Sequence, residues 1–269
     1  MSKIDVKNVY AEYEDKNGKF LALRDVSFSV KEGEFVSIIG SSGCGKSTLL
    51  SILQGINFPS AGTAAIDGNI ITGPSTNRGV VLQHYSLFPW MSASANIAFG
   101  LEQINKKMPR KERYKTADVF LKKVGLSGFG HKNPYQLSGG MQQRVAIARA
   151  LAMNTDILLM DEPFGAIDAK NRANMQDLLL SLWEGGGSEK KTVVFVTHDI
   201  DEAIFLSDRI IMLTNSPGQV AKEFDVHFVR PRVHSTLRET NAYIHLRNML
   251  MALFYDENTG PSANEEFTI

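Results

Sequence analysis

Cysteine is nearly absent. Cys44 is the single one among 269 residues, so no disulfide can close within the chain. That suits a reducing compartment. Net charge is absent too: 29 Lys and Arg balance 29 Asp and Glu. A balanced chain argues against a nucleic-acid binder, because holding a phosphate backbone needs a concentrated positive face. One stretch, KKMPRKERYK at 106–115, is locally basic and reads as a solvated helix face. Long apolar runs are missing. No segment approaches the roughly 18 apolar residues of a membrane-spanning helix; the longest, such as ILLM and VVFV, are short. The opening MSKIDVKNVY lacks the apolar core of a secretory leader. Work at a membrane would require other chains to do the crossing. Internal repeats and low-complexity tracts are also absent. The length allows one large domain, or a core with a smaller appended unit.

What is present alternates between short strands and helices. Val26, Phe28 and Val30 alternate with polar residues before a Lys31-Glu32-Gly33 turn, so the start reads as β. FVSII at 35–39 is a strand that runs into a glycine-rich loop, with the helical pattern TLLSILQGI beyond. Residues 62–73 suggest a hairpin, and VVLQ at 80–83 a buried strand. From about 94 to 150 the pattern is helical: Ala117, Phe120, Leu121 and Val124 share one face, as do Met141, Val145, Ala148 and Ala152. ILLM (157–160), TVVFVT (192–197) and RIIML (209–213) are further strands, with a helical segment at 171–184. Gly185 to Ser188 reads as a loop, 235–254 as helical, and ENTGPSANEEFTI as a polar tail disordered at its end. The expected class is α/β, with a mostly parallel sheet covered on both faces.

The loop after the third strand carries chemistry. Gly40, Ser41, Ser42, Gly43, Cys44, Gly45, Lys46, Ser47 and Thr48 fit G-x-x-x-x-G-K-[ST], set between a strand and a helix. Glycines let successive N–H groups face a β-phosphate. Lys46 would bridge the β- and γ-phosphates and the Ser47 hydroxyl would ligate Mg²⁺, so ATP and Mg²⁺ are expected. Cys44 reads as a small filler; alkylating it should block nucleotide binding unless ATP is bound first. Downstream, the apolar strand 157–160 ends in Asp161 and Glu162. Two carboxylates ending a buried strand are costly unless a cation or a reacting water meets them. Asp161 can hold Mg²⁺, and Glu162 can polarise the attacking water. His198 closes the next strand, at the edge where α/β sheets bind ligands, and is expected at the γ-phosphate. Gln83 ends VVLQ in the same way and could coordinate Mg²⁺ or the water.

A second glycine corner, LSGGMQQR at 137–144, opens another helix with bare backbone N–H groups. Taken in order, the phosphate loop, Gln83, LSGGMQQR, LLMDEP and TVVFVTH resemble the nucleotide-binding subunit of an ABC transporter, over residues 4–225. The resemblance implies a P-loop NTPase cassette with a mostly parallel core sheet, an N-terminal antiparallel β-subdomain and a helical signature subdomain. It implies an ATPase domain over 1–225, its helical subdomain at about 94–150, and a C-terminal helical extension and tail over 226–269. It implies two cassettes paired head to tail, with Ser138, Gly139 and Gly140 of one covering the nucleotide of the other. Asp168 matches the loop linking the two sites, and Tyr13 the aromatic that stacks on adenine, with Tyr10 a nearby competitor. Met141 stands where many members have glutamine, and Ile167 where leucine is common.

Residues 73–101, with HDIDEA at 198–203, resemble the importer subfamily that includes nitrate, sulfonate and taurine systems. That implies separate permease subunits, an extracytoplasmic solute-binding protein acting indirectly, and a peripheral position at the cytoplasmic face of the membrane. Phe88, Pro89 and Trp90 become permease-contact candidates; the alternative is that Phe88 and Trp90 belong to the core. A non-transport ABC ATPase acting on ribosomes or DNA is disfavoured by the single cassette, the lack of a heptad insert and the zero net charge. A plain P-loop kinase or GTPase would leave LSGG and His198 unexplained.

Overall fold

The computed structural model describes residues 2–15, 18–184 and 190–255. The expected loop at 185–188 and the polar tail from 257 onward lie outside them. Two long strands open the chain, β1 (Ser2–Asp15) and β2 (Gly18–Lys31), followed by β3 (Phe35–Ile39) and α1 (Lys46–Gln54). Then come β4 (Ala61–Ile66), β5 (Asn69–Ile70) and β6 (Arg78–Val81). The helical stretch holds α2 (Ala93–Ile104), α3 (Arg110–Lys123) and α4 (Gly139–Ala152). β7 (Ile157–Asp161), α5 (Ala169–Glu184), β8 (Thr192–Thr197), α6 (Ile200–Leu206), β9 (Arg209–Leu213) and β10 (Val220–Asp225) complete the sheet. The chain continues through α7 (His234–Arg238) and α8 (Asn241–Tyr255).

Two sheets result. β2-β1-β4-β5 is antiparallel, and the second runs β10-β9-β3-β8-β7-β6. In the second, β9, β3, β8, β7 and β6 are parallel and only the edge strand β10 is reversed. The alternation of strand side chains divides the interior. Phe35, Ile39, Leu158, Met160, Val193 and Phe195 face one cluster, with residues of α2 to α6 and α8. Val36, Ile38, Leu159, Val194 and Val196 face the other, with α1 and the antiparallel sheet. Both faces are covered, which is why these parallel strands read as near-continuous apolar runs.

Some boundaries differ from the expected ones. VVLQ is not a strand throughout: β6 ends at Val81, Leu82 is half-buried and Gln83 is exposed. The strand stops where its partner β7 runs out of apolar residues. The segment 235–254 is two helices rather than one, because Thr240 breaks it: its N–H and Oγ1 both bond the Leu237 carbonyl, and its Oγ1 accepts the Tyr243 N–H. β10 and α6 carried no clear sequence signal. α6 has only seven residues, and β10 is an edge strand with mostly exposed side chains.

Candidate nucleotide-hydrolysing site

Since β3, β8, β7 and β6 are neighbours and parallel, their carboxyl ends share one edge. The loop after β3 therefore meets the carboxylates after β7, His198 after β8 and Gln83 after β6. Gly43 and Gly45 take φ of 81° and 97°, in the left-handed region that glycine enters without strain. Gly45 also needs its missing side chain, since a Cβ there would lie 2.5 Å from Leu23 Cδ2 and 2.9 Å from the Ala22 carbonyl. Lys46 is buried, and its Nζ donates to the Gly40 and Ser41 carbonyls, both at 2.7 Å. The ammonium is thus folded onto the loop it belongs to, with backbone oxygens where a phosphate oxygen could bind.

Asp161 lies deep at the strand end. Burial, helped by the charge of Glu162, raises its pKa, and a hydrogen bond from Ser47 and the Lys46 charge oppose the rise. A carboxylate disfavoured by burial and joined to a serine hydroxyl is a donor set that suits a hard divalent cation. Among the described residues no cluster of three His, Cys, Asp or Glu side chains could hold a metal alone. An ion at Ser47 and Asp161 would need phosphate oxygens to complete its shell, as Mg²⁺ sites in phosphoryl-transfer enzymes do.

Glu162 is the centre of the arrangement. Its Oε2 accepts from Gln83 Nε2 at 3.3 Å, and its Oε1 lies 3.1 Å from His198 Nδ1. Its backbone is in the left-handed region, at φ 43°, which a side-chain-bearing residue enters at a cost of about 1–3 kcal/mol. The Glu162 N–H donates to the Val196 carbonyl of β8 at 2.9 Å, which locks this turn. The carboxylate is thereby swung out of the strand and held between the other two side chains.

Behind His198 lies a buried acid. Glu202 accepts from Thr197 Oγ1 at 2.9 Å and from Gln176 Nε2 at 3.1 Å, and Arg172 Nε stands 3.8 Å away. Burial and then the Asp199 charge push its pKa up to about 7. It lies within HDIDEA, but the sequence reading gave it no role of its own.

Of the two competing tyrosines, Tyr13 donates its hydroxyl to Thr48 Oγ1 at 3.4 Å, at the start of α1, and Asn57 Nδ2 donates to it at 3.4 Å. Tyr10 sits on the other side of irregular pairings in β1 and pairs with Ala61. Cys44 is fully buried, and burial raises its thiol pKa. The alkylation expectation presumed a reachable thiolate, and the structure gives it neither access nor ionisation.

The signature corner is built differently. Ser138 caps α4 by accepting the Met141 N–H at 3.3 Å and is exposed. A Cβ at Gly139 would come within 2.5 Å of Tyr85 Oη, and one at Gly140 within 3.1 Å of the Ala166 carbonyl. Asp168 accepts from the Asn171 side chain at 2.7 Å and backbone at 3.1 Å, and the Asn171 side chain first among these holds its pKa down.

The turn after Gln83 depends on a residue that sequence reading missed. Asn96 is fully buried; its Oδ1 accepts the Phe88 N–H, and its Nδ2 donates to the Phe88, Met91 and Ser92 carbonyls. Arg149 of α4 donates to the Ser86 carbonyl at 2.9 Å. Trp90 is 71% exposed, so the core alternative fails for it, while Phe88 is half-buried against Phe99.

Residues 23–165 match the ABC transporter family. An uncharacterised ABC transporter ATP-binding protein of Methanocaldococcus jannaschii is 44% identical, over 95% of this chain and 92% of its own. A nitrate transport protein of Klebsiella oxytoca is 43% identical, over 94% of this chain and 97% of its own. A taurine import ATP-binding protein of Roseobacter denitrificans is 44% identical, over 90% and 89%. A dimeric ATP-binding cassette solved in a post-hydrolysis state with ADP and Pi superposes with a TM-score of 0.76 at 38% identity, covering 84% of this chain and all of that one.

Proposed function

This chain belongs to the ABC transporter family, and from that premise we propose that it is the ATPase of an importer for a small solute of the nitrate, sulfonate or taurine class. It hydrolyses ATP to ADP and phosphate and couples that reaction to transport. Among the described residues no helix is long and apolar enough to cross a membrane. In this reading, which rests on the family, separate permease subunits form the solute path and this subunit sits peripherally at their cytoplasmic side. The exposed Trp90, with Phe88 and Pro89 on a turn pinned by Asn96, is the surface that meets them.

The observation that carries the catalytic reading is the Glu162 carboxylate, in contact with both Gln83 and His198 beside the phosphate loop. Glu162 takes a proton from the attacking water. The water oxygen bonds to the γ-phosphorus as the bond to the β-bridging oxygen breaks, and ADP leaves with that electron pair. His198 and Lys46 bind γ-phosphate oxygens, and Gln83 orients the water. Ser47, Asp161 and Gln83 would hold Mg²⁺, which would offset phosphate charge. Backbone N–H groups from Gly40 to Thr48 cradle the phosphates, and Tyr13 stacks on adenine. Ser138, Gly139 and Gly140 close over the nucleotide of a second cassette, so a head-to-tail dimer forms around ATP and reopens after hydrolysis.

Glu162→Gln tests this. A general base contributes about 10²–10⁴-fold, or roughly 3–5 kcal/mol of barrier. Turnover should fall by that factor while ATP still binds by calorimetry, and a closed dimer should accumulate on light scattering. Parental turnover would refute the base assignment. ATPase activity of the chain reconstituted with its permease and solute-binding protein, stimulated by nitrate, taurine or another small solute and by none of a panel of peptides, tests the solute class.

A further inference from the structure

α6 begins directly after His198 and Asp199 and is short, with residues Ile200 to Leu206. Seven residues cannot hold their own orientation; a helix this short takes its pose from what touches it. At its first turn, Asp201 Oδ1 receives two donors from α8: the Tyr243 hydroxyl at 2.7 Å and Arg247 Nε at 2.8 Å. Tyr243 is buried, so its hydroxyl needs that partner. At its last turn, Arg232 donates Nη1 to the carbonyls of Ile204, Phe205 and Ser207, at 3.0, 2.9 and 2.8 Å, and Arg230 Nη2 donates to that of Leu206 at 2.7 Å. These are the carbonyls a helix end leaves without intrahelical partners. The His234 ring stacks on Phe205, with centroids 3.5 Å apart. Every one of these groups comes from residues 230–247, beyond the last strand of the sheet.

We propose that Tyr243 and Arg247 are positioning residues for His198, acting through Asp201. The C-terminal segment grips α6 at both ends, and α6 sets where His198 stands relative to Glu162. Arg230 and Arg232 fix the far end, so a change at Asp201 pivots the near end, three residues from the imidazole. The inference rests on His198 serving the γ-phosphate, as proposed above.

The test uses the full chain carrying Tyr243→Phe with Arg247→Met, compared in the parental and His198→Ala backgrounds. Active sites are titrated with nucleotide so that unfolded protein does not count. In the parental background kcat should fall roughly tenfold, within the range that misplacing a reacting group costs, with KM for ATP unchanged. In the His198→Ala background the same pair should change the single-turnover rate by less than about twofold, the non-additivity of groups acting through one another. If the pair fails to fold, Asp201→Asn, which keeps the size and one acceptor, should show the same split with a smaller loss. Unchanged kcat, or an equal loss in both backgrounds, would overturn the inference. His198→Ala at the parental rate would instead remove the γ-phosphate assignment, whereas an inactive His198→Ala beside a fully active clamp variant would remove this inference alone.

Discussion

Two corners of the molecule carry serine and glycine before a helix, residues 40–48 and 137–141, and they use the same residue types for different reasons. In the first, Gly43 and Gly45 have positive φ and Gly45 lies against β2, so the backbone itself demands glycine. Its lysine is buried, its cysteine is buried, and the loop is packed into the cluster beneath the antiparallel sheet. In the second, Gly139 and Gly140 are already helical residues, and glycine is needed for room beside Tyr85 and the Ala166 carbonyl. Its serine is exposed. One corner is anchored in the interior through Cys44 and Lys46 and leaves Ser42, Gly43 and Ser47 exposed. The other is a helix start presented outward, capped but uncovered, with its N-terminal dipole available to something outside the chain.

That contrast breaks most sharply under a crossed pair of substitutions. Lys46→Ala should abolish ATP binding to the isolated chain. Ser138→Arg should leave that affinity within about twofold while cutting turnover roughly a thousandfold, as removal of a transition-state donor does at its upper range. Equilibrium binding and phosphate release on both variants check this; loss of monomer affinity in Ser138→Arg would mean that the two corners serve one nucleotide in one chain.

On the opposite face of the parallel sheet, in α6, lies Glu202, whose folded pKa of about 7 stands above the ordinary 4.5. For an acid raised in this way, folding is least hindered when both states are protonated. Stability from this group is therefore full below about pH 4.5, falls as pH rises to about 7, and is flat above. The loss is about 3 kcal/mol, since each tenfold change in proton affinity between the folded and unfolded chain is worth about 1.4 kcal/mol. Glu202→Gln should flatten the difference in Tm between about pH 5 and pH 8, which spans most of the range where the unfolded chain has lost this proton and the folded chain still holds it. An undiminished difference would place the pH dependence elsewhere.

Glycine replacement sharpens the comparison on a smaller scale. Gly45→Ala meets positive φ, a carbonyl and Leu23, and should cost about 2–3 kcal/mol by denaturant unfolding. Gly139→Ala meets only the end of the Tyr85 side chain, which can swing, and should cost below about 1 kcal/mol. Equal costs would show that both glycines answer to the same constraint. The smallest effect concerns Cys44: with the thiol buried and its pKa raised, alkylation should be slow without nucleotide and change little when ATP is added. Rapid labelling protected by ATP would show that the loop opens.

The phosphate loop, Asp161, Glu162 and His198 were legible because each ends an apolar run, and one strand-end rule put them together. Asn96, Glu202 and Tyr85 were not, since an asparagine, a glutamate or a tyrosine inside a helix or loop looks ordinary until its partners are known. Asn96 matters through three carbonyls of a turn that precedes it. Tyr243 and Arg247 meet Asp201 across 42 and 46 residues of chain, a separation no local pattern encodes.

Local strings alone determined that this protein binds a nucleotide and belongs with the ABC ATPases, because a phosphate loop is a matter of consecutive N–H groups and the glycines that permit their turn. Tertiary structure decided which side chains touch. Strand order brought Gln83 and His198 to opposite sides of one carboxylate, and the packing of α8 on α6 joined the C-terminal segment to that site. The reason is that backbone conformation is set by neighbours in sequence, whereas a hydrogen bond between side chains is set by neighbours in space.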